Sequence, residues 1–134
     1  MIEVEIYYNE GITDLFISDE ISELIESYDK RYKDKDGKEV NQLHLKLKNL
    51  CDKGLDHFIP TIIRPEWEQV YRIGFNDLKI RIIGFFSRVG TSKKQCFIAI
   101  NCFDKKSNKL NRLQKNKIDK VVKIKKEQKW KVRK

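Results

Sequence analysis

The chain of 134 residues has little of what marks several classes of protein. Its three cysteines are an odd number and none stands in a CxxC pair, which argues against a disulfide framework. Neither of its two histidines lies beside a cysteine, so a zinc site is not expected. No apolar run approaches the roughly 20 residues of a membrane span. The start of the chain is acidic and lacks the basic and apolar regions of a signal peptide, which predicts a cytoplasmic location.

The sequence also lacks the motifs of common phosphate-binding and hydrolytic sites. It contains no P-loop, no GxGxxG pattern, no serine-hydrolase elbow and no metal-binding motif. The acidic residues near the start have amphipathic spacing, which is typical of solvent-facing side chains rather than of paired catalytic carboxylates. We therefore expect neither a cofactor nor a metal ion.

Charge is abundant, and its sign changes along the chain. Lys and Arg number 29 against 20 Asp and Glu, a net charge of +9. Residues 1–28 hold eight acids and no base, residues 29–100 have a net charge of +6, and residues 101–134 have a net charge of +11. A basic half with interspersed aromatic residues is typical of nucleic-acid binding. The alternatives are a solvated lysine-rich surface, or a basic surface covered in part by the acidic start.

The first part of the chain predicts a strand followed by two helices. Apolar residues alternate with Glu at the start of residues 2–8, as in a half-buried strand. Apolar residues then follow a 3.6-residue period over residues 14–33, which predicts a helix. After a charged break at residues 30–38, a second amphipathic helix carries Val40 on its apolar face and ends at a C-cap, Gly54. The two helices are expected to form an αα hairpin.

The central part of the chain predicts an antiparallel β-meander. Residues 67–75, 79–86 and 96–103 are rich in β-branched and aromatic residues, and turn-forming residues separate them. The second and third strands have apolar residues at both parities, so both faces of the sheet should be covered. Cys96 and Cys102 share a parity in the third strand, and we expect both to be buried thiols.

The last segment predicts a basic helix to about residue 126 and a loose, flexible basic tail over residues 127–134. No Gly/Ser-rich or Pro-rich linker divides the chain, so residues 1–134 are expected to form one domain. The expected fold class is α+β. An N-terminal strand and the αα hairpin pack on a small antiparallel β-meander, and the basic C-terminal helix follows.

Three stretches between residues 70 and 107 resemble a known family. They are residues 70–75 (VYRIGF), 78–86 (LKIRIIGFF) and 96–107 (CFIAINCFDKKS). The series is similar to the RelE/HigB superfamily of toxin–antitoxin toxins, in particular to its phage-derived, HigB-like branch. Arg81 falls where the family has the arginine of its YR strand. The family's F-x-K-K-S/T segment, which precedes a basic C-terminal helix, is matched by Phe103, Lys105, Lys106 and Ser107.

The resemblance implies a RelE-like fold and the toxin of a type II toxin–antitoxin system. Such toxins are ribosome-dependent, metal-independent mRNA endoribonucleases that inhibit translation, so RNA and a cognate antitoxin are the implied partners. Attack of an RNA 2′-OH on the adjacent phosphate needs a base, positive charge for the phosphorane and an acid for the leaving oxygen. We expect catalytic roles for Arg81, Lys79 and Lys105, and RNA contacts from Arg72, Arg88, Lys93, Lys106 and Lys109.

Departures from the family pattern keep other functions open. Arg72 and Gly74 hold the positions where the family has an E-x-R pattern, and the proline that follows the K-K-S/T segment is missing. Many active relatives use a Tyr or His near the C-terminus, but this chain has no Tyr after Tyr71 and no His after His57. The alternative functions are a non-catalytic nucleic-acid-binding protein and a phage host-interaction protein on the same fold.

Arg81 also has a structural interpretation. It alternates with Ile80 and Ile82, so its side chain should project away from theirs, on the face that also receives Lys79. Instead of binding phosphate, it could pair with Glu68 across the hairpin, since cross-strand charge pairs are common.

Overall fold

The computed structural model describes residues 1–28, 31–33, 35–105 and 109–133. These residues form an α+β fold, as expected. The strands are β1 (Ile2–Tyr8), β2 (Thr13–Ser18), β3 (Arg31–Lys33), β4 (Glu39–Asn41), β5 (Ile63–Pro65), β6 (Tyr71–Phe75), β7 (Ile80–Ser87), β8 (Gln95–Asp104) and β9 (Trp130–Val132). The α-helices are α1 (Asp19–Glu26), α2 (Gln42–Lys53) and α3 (Arg112–Lys126), and a short 3-10 helix spans Leu55–Phe58. In the described part of the chain, none of the helices has both the length and the apolar character to cross a membrane.

Seven strands form one mixed sheet in the order β5-β6-β7-β8-β2-β1-β9. Strands β5 to β8 pair antiparallel in succession, so the expected meander is confirmed and β5 extends it by one strand. Strand β2 joins β8 in parallel, β1 pairs antiparallel with β2, and β9 pairs in parallel with β1. The N-terminal strands and β9 thus enlarge the meander into a wider sheet.

The helix predicted over residues 14–33 is wrong in its first part, where Thr13–Ser18 is strand β2, and at its end, where Arg31–Lys33 is strand β3. The apolar residues of β2 are buried on both faces of the sheet because this strand lies between β8 and β1. A short apolar run of this kind fits a buried strand as well as a helix, and periodicity alone does not separate the two. Helix α1 begins only after Ser18, whose Oγ accepts a hydrogen bond from Ile21 N at 3.4 Å.

The two N-terminal helices do not form a simple αα hairpin. A two-stranded antiparallel ribbon of β3 and β4 lies between them, and Val40 belongs to β4 instead of to the helix. Helix α2 begins at Gln42, where the side chain of Asn41 caps it by accepting from His44 N at 2.7 Å. The predicted end of this helix at Gly54 is confirmed, and the φ of 96° there lies in the left-handed region that suits glycine.

The sheet is covered on both faces, as the apolar parity of β7 and β8 predicts. Helices α1 and α2 cover one face, whose core includes Ile82, and α3 covers the other, whose core includes Ile83. Both isoleucines are completely buried. Each contributes about 1.5–3 kcal/mol to folding by leaving water. Helix α3 ends at Lys126, in agreement with the sequence.

The expectation of a loose tail after α3 is wrong for Trp130–Val132, which forms β9. The strand covers the edge of β1, and Arg133 N donates to Val4 O at 2.7 Å. The Arg133 guanidinium donates to Glu3 and Asp19, both at 2.9 Å, and these carboxylates raise its pKa. The acidic start therefore lies against part of the basic end of the chain.

Candidate functional site

An open cleft of about 670 Å³ lies over β5, β6 and β7, and its lining is strongly cationic. Four of the nine residues that line it are cations, namely Arg64, Arg72, Arg81 and Lys105. The other five carry no ionisable side chain: Pro60, Thr61, Ile62, Gly74 and Asn76. A lining of this kind favours an anion, and guanidinium groups match the geometry of phosphate oxygens. We call it the arginine cleft.

The strand register brings three arginines onto one face of the sheet. Arg64 stands opposite Arg72 in the β5–β6 pair, and Gly74 stands opposite Arg81 in the β6–β7 pair. Because side chains alternate along a strand, these positions share a face. The predicted orientation of Arg81 is confirmed, since Ile83, two residues further on, packs in the core under α3.

Arg81 forms the floor of the arginine cleft and is only 5% exposed. Its Nη1 donates to Ile80 O at 3.0 Å, and its Nη2 donates to Asn76 Oδ1 at 3.1 Å. The guanidinium lies over Gly74, where an added Cβ would be 2.9 Å from the guanidinium carbon. Burial and the neighbouring arginines lower the pKa of Arg81. Both of its acceptors are neutral, so its positive charge remains available to a ligand.

The carboxylates near this cleft pair differently from the expectation. Glu68 lies 3.1 Å from Lys126 Nζ, so the pairing proposed between Glu68 and Arg81 is wrong. Arg72 is the cleft arginine with a carboxylate partner, because its Nε lies 3.0 Å from Glu66 Oε1. Burial raises the pKa of Glu66, and Arg72 opposes that shift. The charge of Arg72 is therefore partly offset.

Lys105 is the cation of the arginine cleft that gives up its proton most readily. Its backbone N donates to Lys79 O at 2.8 Å, which holds it beside the start of β7. Repulsion from Arg81 is the main cause that lowers its pKa, and burial, Arg72 and Arg64 add to the shift. Arginines keep their protons at physiological pH, whereas a lysine among cations can release one. The cleft thus combines permanent positive charge with one group that can transfer a proton.

Four other predicted site residues that the structure describes do not line this cleft. Lys79 lies in the β6–β7 turn with a φ of 53° and is exposed, so strand parity does not determine where its side chain points. Arg88 and Lys93 lie in the connection between β7 and β8, at the far end of β7. Lys109 precedes α3 and is exposed. Lys106, a predicted RNA contact, lies outside the described residues.

Neither Arg64 nor Glu66, the partner of Arg72, was predicted from the sequence. Arg64 reaches the cleft because β5 pairs with β6 in a register that sets it opposite Arg72. An apolar stretch that ends at Ile63 is a weak signal for β5. No local pattern encodes the pairing of β5 with β6, so neither residue stands out in the sequence.

Comparison of the chain with models of protein families, with curated proteins and with solved structures finds no match. Among residues 1–28, 31–33, 35–105 and 109–133, no three His, Cys, Asp or Glu side chains are grouped so as to hold a metal ion. The fold and the site define the class in physical terms. This is an α+β chain whose mixed sheet carries an open cationic cleft suited to a phosphate-bearing ligand.

Proposed function

We propose that this chain is an RNA-cleaving toxin of a toxin–antitoxin pair and that the arginine cleft holds the phosphodiester to be cleaved. The observation that carries the proposal is the convergence of Arg64, Arg72, Arg81 and Lys105 on one open cleft. RNA fits such a cleft because its backbone presents regularly spaced negative charges. The resemblance of residues 70–107 to RelE/HigB toxins supports the same function.

Cleavage in this site is a transfer within the RNA. The 2′ oxygen attacks the adjacent phosphorus, a 2′-O–P bond forms and the P–O5′ bond breaks, which leaves a 2′,3′-cyclic phosphate. Arg81, held by Ile80 O and Asn76, stabilises the charge of the phosphorane. Neutral Lys105, which its lowered pKa makes more abundant, accepts the 2′-hydroxyl proton. Water donates a proton to the departing 5′ oxygen.

The proposal includes two macromolecular partners. The substrate is mRNA in the cytoplasm, bound to the ribosome, and its cleavage inhibits translation. The second partner is a cognate antitoxin that neutralises the toxin. An acidic segment of this antitoxin would cover the arginine cleft, because charge complementarity favours that contact.

RNA binding without cleavage is the second candidate function. Three of the four cations in the arginine cleft are arginines, and its lining includes neither a His nor a Tyr among the described residues. Arginines bind phosphate without exchanging protons. This composition favours a nucleic-acid-binding protein if Lys105 alone does not support proton transfer.

The test is controlled expression in a bacterial host, with growth and mRNA integrity followed for the wild type and three variants. We expect growth arrest and cleaved transcripts with the wild type, and neither with Arg81→Ala or Lys105→Ala. Arg31→Ala removes an exposed arginine of β3 and serves as the matched control, with the wild-type outcome expected.

Transcript cleavage that survives Arg81→Ala would contradict the assignment of the arginine cleft. Intact transcripts with all forms, together with salt-sensitive RNA binding by the purified wild type, would establish the second candidate. Folding of each variant is checked by circular dichroism, so that a loss of activity is not a loss of structure.

A further inference from the structure

A second cleft, of about 410 Å³, lies at the other end of β7. Its walls include three aromatic residues, Phe85, Phe86 and Trp130, and two cations, Arg88 and Lys125. Arg88 follows Arg81 by seven positions along β7 and its continuation, which corresponds to roughly 23 Å. This Trp130 cleft is therefore separate from the arginine cleft, and it shares no lining residue with it.

A buried ring, Phe85, holds the aromatic wall of this cleft in place. Phe85 is buried, with 1% of its surface exposed, and its ring contacts the indole of Trp130 edge to face, with centroids 5.7 Å apart. Trp130 itself is only partly buried and borders the cleft. A fixed, partly exposed indole provides a stacking surface, and every nucleobase has a flat face that can stack on it.

Two cations, Lys125 and Arg88, line the Trp130 cleft. Lys125 Nζ donates to Glu68 O at 3.2 Å and to Gln69 Oε1 at 3.3 Å, and both acceptors are neutral. Arg88 follows directly after β7 and lines the same cleft. No carboxylate is among the described residues that line it. Two cations beside a stacking surface fit a base and its phosphate together.

We propose that the Trp130 cleft binds one nucleotide unit of single-stranded RNA, with the base stacked on Trp130 and the phosphate held by Arg88 and Lys125. The choice of RNA as the ligand rests on the proposed function. In that setting the cleft anchors the strand at a distance from the phosphodiester in the arginine cleft. In this proposal β9 has a function in RNA binding, because it places Trp130 in the wall of the cleft.

Tryptophan fluorescence tests this site directly. The chain has two tryptophans, so Trp67→Phe leaves Trp130 as the only indole. The probes are adenosine monophosphate, a short oligoadenylate and inorganic phosphate. We expect the two nucleotides to quench Trp130 emission and phosphate to leave it unchanged. Arg88→Ala should weaken adenosine monophosphate binding about tenfold through loss of a charge-assisted contact, whereas Arg31→Ala should bind as tightly as the parent.

Absence of quenching by both nucleotides, or equal quenching by phosphate, would overturn the proposal. Unchanged binding by Arg88→Ala would do the same. If Trp67→Phe does not fold, calorimetry of the wild type against Trp130→Phe replaces fluorescence, with binding of the monophosphate expected only for the wild type.

The two proposals fail separately. Binding of adenosine monophosphate requires no RNA cleavage. A chain that cleaves no RNA but binds this nucleotide at Trp130 therefore contradicts only the proposed nuclease function. A chain that cleaves RNA through Arg81 but does not bind the nucleotide contradicts the Trp130 cleft alone.

Discussion

At the scale of single residues, the lack of a side chain at Gly74 and the position of Arg81 depend on each other. The guanidinium of Arg81 occupies the space that a side chain at position 74 would need. An arginine at position 74 would collide with Arg81 for the same reason. The glycine at position 74 is therefore physically linked to the buried position of Arg81.

Gly74→Ala is predicted to weaken phosphate and RNA binding about tenfold, a loss of about 1.4 kcal/mol. The new methyl group forces Arg81 away from Ile80 O and Asn76, so its guanidinium is no longer held for the ligand. Overpacking also lowers the free energy of unfolding by about 1–3 kcal/mol. Calorimetric titration with a short RNA and urea denaturation measure the two effects.

A double-mutant cycle separates this effect from general damage. If Gly74→Ala acts through Arg81, it should change RNA affinity little in a chain that already carries Arg81→Ala. Additive losses in the double variant would show that the methyl group disturbs binding by another route.

Lys105 is predicted to give the arginine cleft a pH dependence in the alkaline range. Its pKa is lowered, so it loses its positive charge at a lower pH than an ordinary lysine. Anion affinity should therefore fall as the pH rises through the alkaline range, at a lower pH than an ordinary lysine would cause. Lys105→Arg keeps the charge throughout this range. Titrations with a phosphate diester across this range should show the fall in the wild type and a flat response in Lys105→Arg, and identical profiles would contradict the role of Lys105.

Strand β9 is the element that changes the architecture most. It covers the edge of β1, and it places Trp130 and Val132 against the core under α3. A sheet edge left unpaired would expose its backbone groups. The strand thus completes the sheet and builds one wall of the Trp130 cleft.

Truncation after Lys129 is predicted to lower the free energy of unfolding by about 2–4 kcal/mol, because it removes two apolar side chains and a strand from the sheet. Lys131→Ala serves as the control, since this side chain is on the exposed side of β9, and a change within about 0.5 kcal/mol is expected. Urea denaturation followed by circular dichroism measures both, and equal stability of truncated and full-length chains would show that β9 adds little.

Charge is arranged at the scale of the whole molecule. The acidic start and the basic end meet where Arg133 contacts three carboxylates, those of Glu3, Glu5 and Asp19. These contacts offset part of the positive charge in the C-terminal region. The arginine cleft lies elsewhere on the sheet, where Arg64 and Arg81 bond to neutral oxygens. Positive charge therefore remains at the candidate site, where the described acceptors of these two arginines are neutral.

RNA binding is predicted to weaken as the salt concentration rises. In a plot of log affinity against log salt concentration, the slope should be about −2 or steeper. Three cleft cations, Arg64, Arg81 and Lys105, have no carboxylate partner among the described residues, and at about −0.7 per phosphate contact on single strands they account for this value. Arg81→Ala should reduce the slope by about 0.7. Fluorescence anisotropy with oligouridylate over a salt series measures it, and an unchanged slope would place the RNA elsewhere.

The parts of the fold that follow from local patterns were predictable. The meander, the cap at Gly54 and the end of α3 depend on residues close together in the sequence. The alternation of side chains between the two faces of a sheet does not predict burial where a strand is irregular. Strand β8 bulges at Ile100, because Ile83 pairs with Asn101 while Gly84 pairs with Ala99.

The cysteines show the consequence of that bulge. Cys96 is buried in the core under α3, as a buried thiol was expected to be. Cys102 is only partly buried and packs against the core on the other face. Both have the same parity in the sequence, so a single inserted residue in the strand decides which face each thiol meets.

The sequence by itself determined the basic character of the chain, the α+β class and the orientation of Arg81, because composition and strand alternation are local properties. Only the tertiary structure decided that Arg64 joins Arg72, that Glu66 offsets one arginine and that Trp130 meets Phe85. Those contacts depend on which strands pair and in which register. Pairing between distant segments is set by the burial of the whole sheet, which no short stretch of sequence contains.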